Sequence, residues 1–175
     1  MYPYKSLSKE NGELRLIRLR DGCTPSSDDY DFEMIYVSLD SLIPYHAVSY
    51  TWGSSEAVNS VNIDGHAAVI SGNLHYALRQ IFTVLQPGKW LWIDSLCINQ
   101  LDAVEKSWQV AQMGRVFEAA ELVYVCMGPA ADDSDLLIEF LTLFGNEAVQ
   151  ADLFSIGFSP VDTRDPAQTK TAAPL

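Results

Sequence analysis

The hydrophobic pattern of the chain predicts five strands outside any hairpin. Apolar and charged residues alternate over Gly12–Arg20, which is typical of a half-exposed strand, and Phe32–Leu39 forms a second strand-like run. Three short apolar runs follow at His46–Tyr50, Trp90–Ile93 and Leu122–Met127. They are rich in aromatic and branched residues, so we expect strands that are covered on both faces.

Helical spacing appears between these runs. Apolar residues recur at helical intervals from Leu74 to Leu85, behind Asn73 as the predicted N-cap. A second helix is predicted over Asp102–Ala120, capped by Asp102, and a third after Asp132 or Asp133. The second helix has two stripes. The expected core stripe is Ala103, Val110, Met113, Phe117 and Ala120, and the other stripe is Glu105, Gln109, Gln112 and Val116.

The order of the elements indicates the fold class. Asp64-Gly65 between two short apolar runs predicts a β-hairpin. After Tyr45 the order is strand, hairpin, helix, strand, helix, strand, helix. This order predicts an α/β fold with a mostly parallel sheet flanked by helices, an N-terminal β extension and a β-hairpin insertion. We expect the extension at residues 1–44, the main domain at 45–156 and a disordered tail at 157–175.

Composition and charge narrow the classes of partner. The 175 residues carry a formal net charge of -12, which disfavours nucleic acid and anionic membrane surfaces as partners. Between Arg115 and Arg164 there is no Lys or Arg. This stretch is either a solvated acidic face or a docking surface for a basic partner or a missing neighbouring segment. The three cysteines form no CxxC pair, and no His/Cys spacing suits a metal. No signal peptide or transmembrane run is present, which predicts a cytoplasmic protein.

The candidate chemistry lies where the predicted strands end. Because parallel strands present their carboxyl ends at one edge, Tyr50–Gly53, Asp94–Gln100 and Gly128–Asp135 are expected to border one cleft. Asp94 at a strand end and Glu105 in the first helical turn form a candidate catalytic pair. The structural alternatives are that Asp94 binds backbone amides of its own loop and that Glu105 complements the helix dipole.

Six further residues are candidates for ligand binding at this edge: Tyr50, Trp52, Gly53, Cys97, Asn99 and Gln100. Gly53 permits a close approach of backbone to a ligand, and a Cys before a helix N-terminus is a candidate nucleophile. Each has a structural alternative. Trp52 can cap the core, Gly53 can simply turn the chain, and Cys97 can be a small buried thiol.

Several motifs together resemble one family, the heterokaryon incompatibility (HET) domain of filamentous fungi. The resemblance covers roughly residues 45–145. It is carried by Tyr45–Gly53 (YHAVSYTWG), Asn73-Leu74 with Ala77–Arg79, Trp90–Gln100 (WLWIDSLCINQ), then Asp102, Glu105, Gln109-Val110, Met113, Phe117 and Ala120, Val123–Gly128 and Asp132–Asp135. This chain departs from the family after Phe144, where the usual Arg-x-Trp-x-x-Gln-Glu motif is absent. We therefore expect a HET domain that lacks its C-terminal part, with a bare edge that favours self-association.

The resemblance implies a TIR-like (flavodoxin-like) fold and a role in non-self recognition and programmed cell death signalling. It implies action by protein–protein assembly, through protein partners or self-association, with no certain cofactor. The alternative that it implies is a TIR-like NAD glycohydrolase, for which NAD is the substrate. That reaction breaks an N-glycosidic bond through an oxocarbenium-like transition state, which needs a carboxylate in the cleft. Asp94 and Glu105 are the carboxylates assigned to this role.

Overall fold

The computed structural model of the chain describes residues 2–23, 29–41, 43–53 and 57–128. Residues 1–128 form one compact unit. The predicted third helix, the predicted tail at 157–175 and the part of the Gly128–Asp135 cleft border beyond Gly128 lie outside the described residues. No helix in the described ranges is long and apolar enough to cross a membrane.

Within the described residues, seven strands and three helices are present. The strands are β1 (Glu13–Leu19), β2 (Asp31–Ser38), β3 (Tyr45–Tyr50), β4 (Ala57–Ile63), β5 (His66–Ser71), β6 (Trp90–Ile93) and β7 (Leu122–Cys126). The helices are α1 (Gly72–Ile81), the single turn α2 (Asp94–Cys97) and α3 (Ala103–Ala119). This confirms the five predicted strands, the hairpin and the first two predicted helices.

All seven described strands belong to one mixed sheet, in the order β5-β4-β2-β1-β6-β3-β7. The pairs β2/β4, β3/β6 and β3/β7 are parallel. The pairs β1/β2, β1/β6 and β4/β5 are antiparallel. The α/β class is therefore observed, but the sheet is mixed and not mostly parallel: its parallel pairs are the two of the block β6-β3-β7 and the pair β2/β4. The sheet is mixed because β1, from the N-terminal region, lies antiparallel between β2 and β6.

The predicted hairpin is the pair β4/β5. Asp64 and Gly65 form its turn with φ values of 49° and 77°. A two-residue turn with two positive φ angles matches the right-handed twist of the strands that it joins. The parallel pairing of β4 with β2 attaches this hairpin at the outer end of the sheet.

Helix α1 packs as the spacing predicts but begins differently. Its buried residues are Leu74, Ala77, Leu78 and Ile81. The N-cap is Ser71, whose Oγ accepts a hydrogen bond from the Leu74 amide at 3.2 Å, so the prediction of Asn73 as the cap is wrong. Asn73 instead donates its side-chain amide to the Thr51 carbonyl at 2.9 Å. The Asn73 side chain therefore binds a residue distant in sequence, Thr51, and does not cap the helix.

The two long helices cover opposite faces of the sheet. The strand register places Phe32 of β2 and Trp92 of β6 on opposite faces. Phe82, directly after α1, contacts Phe32 with 6.1 Å between ring centroids. Phe117 of α3 contacts Trp92 at 5.4 Å. The chain therefore leaves β3 toward one face, through the hairpin and α1, and leaves β6 toward the other.

Helix α3 buries a different stripe from the expected one. Its buried residues are Glu105, Gln109 and Val116, whereas Val110 is 50% exposed. The predicted assignment of the two stripes is therefore wrong, although Phe117 still contacts the core. The cause is a set of polar partners on β1. The Gln109 amide donates to the Glu13 carbonyl at 2.7 Å, and Glu105 pairs with a buried arginine described below.

Candidate functional site

The carboxyl ends of β3 and β6 lie side by side at one edge of the sheet. These strands are parallel neighbours, and the helices that follow them cover opposite faces, so the chain diverges at this point. Open α/β sheets usually bind ligands where the chain diverges in this way, so we take this edge, which we call the crevice, as the candidate site. Its borders are Tyr50–Gly53 and residues 94–102, which we call the signature loop. Both bordering segments were predicted from the sequence.

Asp94 occupies the crevice with both carboxylate oxygens bonded. Its Oδ2 accepts from the indole Nε1 of Trp52 at 2.8 Å, and its Oδ1 accepts from the Ser95 amide at 2.7 Å. Burial raises the pKa of the Asp94 carboxyl, although these two hydrogen bonds act in the opposite direction. Asp94 thus binds a backbone amide of its own loop, as the structural alternative expected, and also faces a neighbouring indole.

Tyr50 joins the two borders of the crevice, and Gln100 makes a bond within the signature loop. The Tyr50 hydroxyl donates to Ser95 Oγ at 2.7 Å, and burial raises the pKa of Tyr50 to about 12. The Gln100 side-chain amide donates to the Asp94 carbonyl at 3.0 Å. Its Oε1 is buried and has no hydrogen-bond partner among the described residues. Tyr50 therefore stays protonated near neutral pH, and Gln100 keeps one acceptor unused.

Trp52 lies at the surface and does not cap the core. Its side chain is 46% exposed, and the Lys106 ammonium lies 5.8 Å from the centre of its ring. This distance allows a cation–π attraction. The indole therefore presents one ring face beside an ammonium at the mouth of the crevice.

Gly53 is required by the conformation after Trp52. Its φ is +71°, and an added Cβ would lie 2.5 Å from the Asn73 side-chain nitrogen. That nitrogen donates to the Thr51 carbonyl, so Gly53 leaves room for the bond that ties α1 to the end of β3. The glycine of the Tyr-Thr-Trp-Gly sequence is therefore explained by the fold alone, without a ligand.

Glu105 is buried beneath the signature loop and is 5% exposed. Its two oxygens accept from Arg15 Nη1 and Nη2 at 2.6 and 2.9 Å, and Oε1 also accepts from the Asn99 amide at 2.8 Å. Asp94 has other partners, Trp52 and Ser95. The two candidate catalytic carboxylates therefore share no hydrogen-bond partner, and Glu105 joins β1 to the loop.

Arg15 is the site residue that the sequence did not reveal. It was expected on the exposed side of a strand, yet it is fully buried. Besides Glu105 it donates to the Cys97 carbonyl at 2.9 Å, and its guanidinium lies over the rings of Tyr4 and Tyr36. Burial lowers its pKa, but the bonds and charge of Glu105 more than offset this, so the pKa is raised. The sequence did not reveal Arg15 because its partner, Glu105, lies 90 residues further along the chain.

Cys97 and Asn99 shape the loop. Cys97 is buried, its Sγ accepts from the Ile93 amide at 3.4 Å, and burial raises its pKa to about 12. A thiol with this pKa supplies almost no nucleophilic thiolate near neutral pH. Asn99 Oδ1 accepts from the Leu101 amide at 3.2 Å, and the Asn99 carbonyl accepts from the Asp102 amide. Asp102 then caps α3 through the Val104 and Glu105 amides, as predicted.

In the described part of the chain, the His, Cys, Asp and Glu residues form no group of three or more that could hold a metal ion. An open polar groove of about 590 Å³ lies between the Lys9–Gly12 turn and the Gln112–Arg115 side of α3. This groove contains none of the predicted site residues, so the crevice remains the candidate site.

Comparisons with known proteins agree with the motif resemblance. A family model described as heterokaryon incompatibility protein (HET) matches residues 45–155. A Neurospora crassa protein, heterokaryon incompatibility protein 6, OR allele, is 34% identical over 160 residues. The alignment covers 83% of this chain but 23% of the relative, so the chain spans less than a quarter of that protein's length. No solved structure matches the chain.

Proposed function

Because the chain belongs to the heterokaryon incompatibility (HET) family, we propose that it is a fungal incompatibility-type module in non-self recognition and programmed cell death signalling. We further propose that it acts by protein–protein assembly, and that its fold is TIR-like. The parallel block β6-β3-β7, with helices on both faces, supports the proposal about the fold.

One observation carries the proposal of assembly: the carboxylates of the site are used for structure, while apolar side chains beside them are exposed. Glu105 is held by Arg15 and Asn99, and Asp94 by Trp52 and Ser95. Leu101 of the signature loop is 72% exposed, Val104 in the first turn of α3 is 77% exposed, and Trp52 at the other border is 46% exposed. Exposed apolar and aromatic side chains suit a protein contact.

Self-association of the purified chain tests this proposal. We expect light scattering over a concentration series to detect a dimer or larger species. The variants Trp52→Ala and Val104→Ser should weaken this species by at least about tenfold, because large apolar side chains dominate such contacts. Val84→Ser is the matched control, since Val84 is also exposed but lies after α1. A monomer at every concentration, or equal weakening by the control, contradicts assembly through this surface.

A cellular readout addresses the signalling role. Expression of the chain in a filamentous fungus is expected to cause growth arrest and uptake of a vital dye. Trp52→Ala should reduce both effects and Val84→Ser should not. If the unsubstituted chain and both variants are equally toxic at matched expression, cell death does not depend on Trp52.

A second function, NAD glycohydrolysis, is favoured by the environment of Asp94. This carboxyl lies in the strand-end crevice and its pKa is raised by burial. It accepts a bond from the exposed indole of Trp52, and the Lys106 ammonium lies 5.8 Å from the centre of that indole ring. A carboxyl group in such a crevice is a candidate for general acid–base or charge-stabilising work on a glycosidic bond. Asp94, rather than the buried Glu105, is the residue that this alternative requires.

Release of nicotinamide from NAD by purified protein tests the alternative. Asp94→Asn keeps the side-chain shape and should abolish release if the carboxyl acts in the reaction. Glu105→Ala is unsuitable as the main variant, because it leaves Arg15 buried without its counter-charge and acts on folding. No release at high protein concentration, with no rise of Tm in the presence of NAD, contradicts this second function.

A further inference from the structure

We propose that residues 2–8 form a strap that latches the signature loop, so that displacement of the strap opens the loop while the sheet stays folded. Neither the strap nor β1 lies in residues 45–155, which the family model matches. The strap would control the conformation of the loop whether or not the chain assembles or hydrolyses NAD.

The strap contacts the loop directly through Tyr4. The Tyr4 hydroxyl donates to the Leu96 carbonyl at 2.9 Å. The Tyr4 ring lies 4.7 Å from the Arg15 guanidinium, and the Lys5 carbonyl accepts from Arg15 Nη2 at 2.6 Å. The strap therefore supplies one hydrogen bond to the loop and two contacts to the arginine beneath it.

Arg15 connects the strap to the loop. Its Nη1 donates to the Cys97 carbonyl and to Glu105, and Glu105 accepts from the Asn99 amide. Strap, β1, loop and α3 thus share one buried network that is centred on a single guanidinium. Without the strap, Nη2 keeps only Glu105 as a partner, and the guanidinium loses the cover of the Tyr4 ring. A partly satisfied buried network is costly, so removal of the strap favours an open loop.

The strap is held less firmly than the sheet. Residues 2–8 belong to no helix or strand, and Pro3, Lys5 and Ser6 are exposed. The buried anchor of the strap is Tyr2, whose hydroxyl donates to Asp64 at 3.3 Å. The bond from the Lys5 amide to the Tyr36 hydroxyl is also exposed, with a length of 3.2 Å. Segments with exposed hydrogen bonds and little burial open at lower free energy than the strands they cover. Opening of the strap is therefore a local event that precedes unfolding of the sheet.

Amide hydrogen exchange of the full chain tests the latch. The reporters are the amides of Ile98, Asn99 and Asp102, which are bonded within the loop or to Glu105. The reference is the β3/β7 strand pair, because the hairpin itself contacts the strap through the bond from the Tyr2 hydroxyl to Asp64. In Tyr4→Ala, exchange of peptides covering residues 94–102 should accelerate about tenfold or more, while exchange of β3 and β7 stays unchanged.

Two further variants sharpen the experiment. Tyr4→Phe removes the bond to Leu96 but keeps the ring over Arg15, so the loop should accelerate by a smaller factor. Lys9→Ala changes an exposed side chain in the next turn and should change neither region. Equal acceleration of the loop and of the β3/β7 pair in Tyr4→Phe would mean global destabilisation and would overturn the proposal. Unchanged loop exchange in both Tyr4 variants would overturn it as well.

Discussion

Asp94 and Glu105 are both acidic residues of the signature region, and their neighbours give them different roles. Glu105 faces a buried guanidinium and serves the fold, whereas Asp94 faces an indole at the mouth of the crevice. The sequence placed Asp94 at a strand end and Glu105 in a first helical turn, because strand ends and caps are local signals. It could not identify Arg15, because nothing local distinguishes a buried arginine from an exposed one on a strand.

The buried pair should cost far more to break than a half-exposed one. Glu105→Ala leaves a buried guanidinium without its counter-charge, so we expect a loss of about 3–5 kcal/mol in the free energy of unfolding. Glu33→Ala is the matched control, since Glu33 pairs with Arg18 and the two side chains are 29% and 35% exposed. It should lose about 1 kcal/mol or less. Urea unfolding followed by circular dichroism measures both, and similar losses would contradict this account.

Gly53 should resist substitution more strongly than another glycine with a similar backbone angle. Gly53→Ala adds a clash with Asn73 to the strain of a φ of +71°, whereas Gly88 has a φ of +78° and open space around it. Gly88→Ala is therefore expected to lose about 1–2 kcal/mol of stability from strain alone. Gly53→Ala should lose clearly more than Gly88→Ala in the same thermal or urea denaturation. Equal losses would mean that Asn73 moves aside without cost.

At the scale of the element, most boundaries were predictable and one orientation was not. The β4/β5 hairpin and α1 follow from turn chemistry and apolar spacing, which depend on neighbouring residues. In α3 the apolar stripe with Val110 competes with the polar stripe of Glu105 and Gln109 for the interior. The polar stripe is buried because β1 offers it a guanidinium and a carbonyl. Only the tertiary partner decides this competition, so spacing alone selected the wrong face.

Two valines on α3 test its orientation. Val116 is fully buried and Val110 is half-exposed. Val116→Ala removes two buried methyl groups, so we expect a loss of about 1.5–3 kcal/mol in the free energy of unfolding. Val110→Ala should change it by about 0.5 kcal/mol or less. The opposite ranking in chemical denaturation would restore the stripe that the sequence favoured.

At the scale of the whole molecule, the class of fold was predictable and the strand order was not. Alternating strands and helices after Tyr45 gave the parallel block β6-β3-β7, since helical crossovers join parallel strands. The position of β1 between β2 and β6 depends on a pairing between Ile17 and Leu91, which no local pattern encodes. The N-terminal strands therefore occupy the middle of the sheet.

His46 lies in β3 at the end of the sheet opposite the crevice, and its titration makes the free energy of unfolding depend on pH. The pKa of His46 lies below its ordinary value of 6.5 because of burial and the charge of Lys89, although Glu121 acts the other way. The unfolded chain therefore binds this proton first as the pH falls. The contribution of His46 is fully present above about pH 6.5 and is lost as the pH drops below that value.

Urea unfolding at about pH 7.5 and about pH 5.5 measures this effect, with a lower midpoint expected at the acidic pH. His46→Gln removes the titrating group and should reduce the difference between the two midpoints. His66→Gln is the control, because His66 lies exposed in the hairpin. If His46→Gln leaves the difference as large as in the unsubstituted chain, another group is responsible.

Because Arg15 and Glu105 are far apart in sequence, they are also synthesised at different times. A ribosome adds about 5–20 residues per second, so the 90 residues between them take roughly 5–20 s to synthesise. During that interval the nascent β1 carries a cation whose counter-charge does not yet exist, and the edge that will meet β6 is unpaired. β1 is thus made several seconds before the strand and the carboxylate that fix its place in the sheet.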